Sequence, residues 1–191
     1  LWMHKEKQPD GALWDQWLDV YSAVANTRER VALIQPEAKL CDQTFAANYG
    51  SFYNGALIIS NYKYAERMPE KHIMARWCVD NRINIVPIPE EICFEGDGDL
   101  IKLNNDLYAM GYGFRTDIEA ASELERIMHL AVLPLELVNP YFYHLDTCLF
   151  SLPVKDKTCI VYYSAAFSQA SQDYLQYLTN SENSNFCASE V

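Results

Sequence analysis

Apolar residues recur along this chain at two spacings, one helical and one strand-like. In 13–24, Leu13, Trp14, Trp17, Leu18, Tyr21 and Val24 fall on one stripe at helical spacing, which predicts an amphipathic helix. Short apolar runs at 31–35 and 43–47 predict strands, the second leading into Asn48-Tyr49-Gly50. Asn54-Gly55 predicts a hairpin turn before 56–61, since both residues tolerate the positive φ that a tight hairpin demands. Ile73 with Trp77, and Met74 with Cys78, form helically spaced pairs and predict a helix over 69–80.

The same order then returns twice. A strand at 83–88 and the run 92–94 lead into Glu95-Gly96-Asp97-Gly98-Asp99, followed by a hairpin turning at Asn104-Asn105. Thr116 and Glu119 predict a capping box at the start of the next helix. The third copy runs from a strand at 131–138 through His144-Leu145-Asp146-Thr147, a hairpin near 155–157 and a helix over 168–179. The period is about 50 residues, and units of that size bury their apolar faces by stacking on one another. The pattern therefore predicts an α/β fold of repeated hairpin, helix and strand. Three units and pieces of a fourth leave strand edges open to water, to more chain or to a second copy, so a homo-oligomer is compatible with it.

Composition narrows the function classes. With 191 residues, half of them apolar, the chain is long enough for one domain with a substantial core. A net charge of −11 repels polyanions and argues against nucleic acid as a partner, while small cations such as guanidinium compounds are drawn to it. Most of the carboxylates read as a solvated surface. Six cysteines (Cys41, Cys78, Cys93, Cys148, Cys159, Cys187) show no CxxC pair, which predicts buried free thiols in a reducing compartment. The chain holds no apolar run near the roughly 18 residues of a membrane span and does not open on a signal-like segment, so the expectation is a cytoplasmic protein without a membrane partner. No metal is expected: Asp97 and Asp99 lack the further oxygens of a calcium loop, and His144 has no second histidine nearby.

Asn48, Glu95, and His144 with Asp146 stand at matching places in the three repeats, each on a turn. Equivalent loops in stacked repeats converge, which predicts one pocket holding an amide, carboxylates and an imidazole. That inventory suits holding a planar cation and moving protons around it.

FEGDGD (94–99), GYGFRTD (111–117) and YHLDTCLFSL (143–152), in this order and spacing, resemble the motif series of the arginine deiminase, dimethylarginine hydrolase and amidinotransferase superfamily. The resemblance extends from LWM at the start to NFCASEV at 185–191. It implies an αβ-propeller, the pentein fold, of ββαβ units around a polar pocket, with 1–191 as a single partial catalytic domain. It further implies a hydrolase acting on the guanidino carbon of arginine or a related compound through a cysteine thiouronium intermediate. By the same resemblance Glu95 and Asp146 hold the guanidinium, His144 is the general acid and base, and Arg115 pairs with the substrate carboxylate. Asn48 and Asp99 complete the substrate-binding set, no cofactor is needed, and the partner is a small guanidino substrate.

Two departures bear on this. Deiminases carry aspartate where this chain has Asn48, and asparagine there resembles the dihydrolase branch, which takes arginine through to ornithine, carbon dioxide and ammonia. The family nucleophile belongs to a glycine-rich His-Cys motif of the last blade, and none occurs by Val191. The expectation is a chain that stops before its nucleophile and is inactive by itself, with Cys148 in the core and Cys187 at the start of a fourth repeat. The alternatives are an amidinotransferase, in which an amine takes the second step, and a module that binds guanidino ligands without chemistry.

Overall fold

A computed structural model describes residues 10–27, 30–40, 42–180 and 186–190. Cys41 and the terminal motif residues Leu1, Trp2, Met3, Asn185 and Val191 lie outside the described residues. The chain divides into two compact units, 1–35 and 36–191. In the first, helix α1 (Asp10–Ala25) carries the expected stripe, and along it Trp14 stacks on Trp17 and Trp17 on Tyr21, with ring centroids 5.2 and 5.5 Å apart.

The second unit repeats one motif three times. Strands β1 (Gly50–Tyr53) and β2 (Ala56–Ile59) form an antiparallel hairpin, and helix α2 (Met68–Asp80) crosses to β3 (Asn84–Pro87), parallel to β2. The second copy is β4 (Leu100–Lys102), β5 (Leu107–Tyr112), α3 (Ala120–Met128) and β6 (Ala131–Glu136). The third is β7 (Leu149–Val154), β8 (Lys157–Tyr162), α4 (Gln169–Asn180) and β9 (Phe186–Glu190). Each copy is its own three-stranded sheet with the hairpin's second strand in the middle. Asn54 and Gly55 both adopt positive φ, 47° and 79°, as the first hairpin turn requires.

Three expectations need correction. The run 31–35 is irregular, because an isolated strand leaves its backbone groups unpaired. Residues 43–47 form turns instead, closed by local bonds from Phe45 N to Asp42 O and from Asn48 N to Phe45 O (3.0 and 3.1 Å). Cys187 sits in β9, which completes the third sheet rather than opening a fourth repeat.

Neighbouring copies of the motif meet through side chains and a few backbone links. Ile58, Phe94, Met110 and Leu124 pack between the first and second copies; Leu135, Leu145, Ile160 and Phe167 pack between the second and third. Asn61 exchanges both backbone bonds with Phe94 at 2.9 Å. Immediately before the first strand of each sheet is a short 3-10 turn: Ala46–Tyr49, Gly96–Gly98 and Leu145–Thr147. The turn at Gly96 nests so closely on the one before it that a Cβ would meet Ala47 O and the Gly50 backbone, at a φ of +65° that favours glycine. These three touching turns position the candidate site.

Candidate active site

Glu95 is wholly buried at the head of the second 3-10 turn, and a buried carboxylate is tolerable only where partners compensate it. Its Oε1 accepts the Lys63 amide (3.2 Å). Its Oε2 faces Arg115 Nη1 at 3.0 Å, His144 Nε2 at 3.4 Å and Arg67 Nη1 at 3.8 Å. His144, at the head of the third turn, is buried as well. Its Nδ1 lies 3.1 Å from Asp99 Oδ1, within ion-pair distance though short of hydrogen-bond geometry. The Leu145 amide also donates to Asp99 Oδ1 (3.1 Å), so Asp99 is turned toward the third unit.

Asn48 joins them from inside the first turn, so it is not in the phase that Glu95 and His144 share at the heads of theirs. Its Nδ2 donates to Glu95 O (3.2 Å) and lies 3.4 Å from His144 Nε2. Gly98 makes room for it, since a Cβ there would run into Asn48 Nδ2. The glycines of FEGDGD thus serve close approach between units.

The Thr116 capping box does not form. Helix α3 has Glu119 at its N-cap with no side-chain cap. The Thr116 hydroxyl turns inward instead, donating to Asp99 Oδ2 (2.7 Å) and accepting the Glu95 amide (3.1 Å). A buried acceptor and a buried donor outcompete a solvated helix end, because unpaired buried groups cost more.

Arg115 meets Glu95, and its guanidinium lies between the Tyr64 and Tyr143 rings, 4.7 and 4.8 Å from their centroids. Asp146 stands apart from this cluster: it is exposed and makes no ion pair with His144. Desolvation leads the causes that raise its carboxyl above the usual range even so; His144 opposes the shift and Asp99 adds to it.

Sequence reasoning missed Arg67 and Glu70. Arg67 is buried and binds Glu70 through two bonds, Nε to Oε1 at 3.2 Å and Nη2 to Oε2 at 2.8 Å. Its Nη1 donates to Asn48 Oδ1 at 3.0 Å, and it stacks over Tyr62 at 4.6 Å. Burial works against its charge, but the Glu70 bond, Tyr62 and Glu95 together raise its pKa. An Arg and a Glu three apart on a helix usually form a surface pair, so no local signal marks them.

Cys148 is buried with its thiol toward Leu145 O (3.5 Å), and burial followed by the charges of Asp146 and Asp99 pushes its pKa up to about 12. Cys187 is paired in register with Cys159, their thiols hydrogen-bonded. Among the described residues no group of three acidic, histidine or cysteine side chains is arranged to hold a metal ion. No described helix is long and apolar enough to cross a membrane.

Over 163 residues, 85% of its length, the chain is 36% identical to the N(G),N(G)-dimethylarginine dimethylaminohydrolase of Mycobacterium tuberculosis. The chain is a homologue of guanidino-modifying hydrolases. A second relative is the bifunctional arginine dihydrolase/ornithine cyclodeaminase AgrE of Nostoc sp., 29% identical over 163 residues, which are 85% of this chain and 23% of that protein. Among solved structures, the N-terminal domain of the cyanobacterial arginine dihydrolase ArgZ, a Cys-to-Ser variant bound to substrate, superposes with a TM-score of 0.82 at 25% identity, covering 93% of this chain and 63% of that one. An Asn-to-Ser variant of that domain, covalently bonded to a reaction intermediate, gives 0.78 at 25% identity, covering 85% and 59%. The mixed α/β fold of repeated ββαβ units is that of these guanidino-modifying neighbours. This chain spans about half of the mycobacterial relative, 52% of its length. No family model matches the chain.

Proposed function

We propose that this chain contributes Glu95, His144 and Asn48 to the pocket of a hydrolase acting on the guanidino carbon of arginine or a related compound, within a propeller of ββαβ blades. The observation that carries this reading is the buried Glu95 carboxylate with the His144 imidazole 3.4 Å away, on turns of neighbouring units. A guanidinium gives Glu95 two N–H donors and a delocalised positive charge, the strongest pairing a carboxylate makes.

In this mechanism Glu95 holds the cation while a cysteine thiolate attacks the guanidino carbon. An S–C bond forms, His144 protonates the leaving nitrogen, and the C–N bond breaks. A water then attacks the thiouronium carbon as His144 takes its proton, and the C–S bond breaks to release a ureido product and the thiolate. The covalent intermediate in the ArgZ domain supports such a route. Asn48, in place of aspartate, favours the dihydrolase type, in which the ureido product is hydrolysed again. Cys148, with its raised pKa, is a neutral thiol near pH 7, and Cys187 is engaged with Cys159, so the reading makes neither the nucleophile.

Acid quench of the full-length protein during turnover of arginine, followed by mass analysis, tests this. The expected result is a thiouronium adduct on one cysteine, with His144→Ala slowing its hydrolysis by about 10²–10⁴-fold. Full turnover in His144→Ala overturns the role of the imidazole, and labelled Cys148 or Cys187 overturns the exclusion of both.

A further inference from the structure

Arg67 takes no part in the steps above, yet it is one of the most enclosed charges in the fold. Its guanidinium is clamped on one side by both oxygens of Glu70, itself buried, and its free Nη1 donates to Asn48 Oδ1 at 3.0 Å. A buried ion pair is no better for stability than apolar groups of the same shape, so stability by itself gives no reason for this one. Its geometry does. With Oδ1 occupied by a cation, the Asn48 amide has one orientation, and its Nδ2 is left to face Glu95 O at 3.2 Å and His144 Nε2 at 3.4 Å. Both of its hydrogens point at acceptors only if Nε2 carries a lone pair. On the other side of the ring, Asp99 Oδ1 at 3.1 Å repels a lone pair and attracts an N–H at Nδ1. Glu95 Oε2, also 3.4 Å from Nε2, is already compensated by Arg115 at 3.0 Å, which leaves the Asn48 donor to decide.

We propose that Arg67 is a positioning residue that, through Asn48, fixes the neutral His144 ring as the Nδ1–H tautomer with the Nε2 lone pair facing the Asn48 amide donor. This deepens the proposed function, since it rests on His144 being the proton carrier: a lone pair at Nε2 is the state that can take a proton from water.

Long-range 1H–15N NMR of the full-length protein, with the His144 ring assigned through His144→Gln, reads the tautomer directly. In the neutral ring, Nδ1 should be the protonated nitrogen. The double variant Arg67→Gln, Glu70→Gln removes the clamp without leaving one charge buried alone, and His144 should then move to a mixture of tautomers. Asn48→Asp puts an acceptor opposite Nε2 and should bring the proton there; it decides the matter if the double variant fails to fold. In the double variant kcat should fall roughly 10²-fold with KM little changed, the mark of misplacement rather than lost binding. An Nε2–H ring in the wild type, or an Nδ1–H ring unmoved in both variants, overturns the proposal. A wild-type protein with the expected tautomer but no guanidino chemistry leaves Arg67 in place and removes the functional reading instead.

Discussion

Around Glu95 four groups compete for one carboxylate. The Lys63 amide takes Oε1, while Arg115, His144 and Arg67 crowd Oε2, with Arg115 nearest at 3.0 Å. On the proposed function, a substrate guanidinium has to displace Arg115, whose side chain is held between Tyr64 and Tyr143. If Arg115 then turns to the substrate's own carboxylate, ligands bearing one repay the displacement and ligands lacking one do not. Calorimetry should show arginine binding more tightly than agmatine, by the about 1.5–3 kcal/mol of a hydrogen bond to a charged group. Equal affinities would take that role from Arg115.

At the scale of elements, the touching 3-10 turns carry both the site and a cost. Asp97 on the second turn and Asp146 on the third oppose one another as like charges. The Asp97 carboxyl is raised by burial and by Asp146, with a Ser51 hydrogen bond opposing; Asp146 is raised by burial and Asp99, with His144 opposing. Raised carboxyl pKa values mean that the folded chain holds these protons more tightly than the unfolded one. Their contribution is fully favourable below the ordinary carboxylate value of about 4 and is lost as pH rises through the raised values. Asp146→Asn should accordingly raise the melting temperature at pH 7, and this gain should shrink to nothing as pH falls below that range. A gain independent of pH would show that charge is not the cause.

At the scale of the molecule, each sheet is complete in itself, and the units are joined chiefly by side-chain packing. Leu145, wholly buried, sits where this packing and the site meet: it follows His144, lies close over Gly111 and belongs to the core between the second and third units. Leu145→Ala should destabilise the fold by about 2–5 kcal/mol in chemical denaturation, the usual cost of such a cavity. It should also loosen His144, so turnover in the proposed reaction should fall even where the protein remains folded. A loss of stability below about 1 kcal/mol would mean that the units are held by something other than this core.

Hairpins, helices and the order of the three units could be read from the chain, because apolar spacing and turn residues such as Asn54-Gly55 act locally. The like phase of Glu95 and His144 could be read too, since a repeat places equivalent residues on equivalent turns. Tertiary structure decided the rest. It left 31–35 outside any sheet, gave β9 to the third sheet, and drew Thr116 from a helix cap to Asp99. It also made Arg67 and Glu70 part of the site, 19 residues from Asn48 for Arg67, through bonds that exist only once α2 lies against the first turn. Spacing along a chain reports which face a residue occupies; which buried donor meets which acceptor depends on segments far apart in sequence, and no local pattern encodes that match.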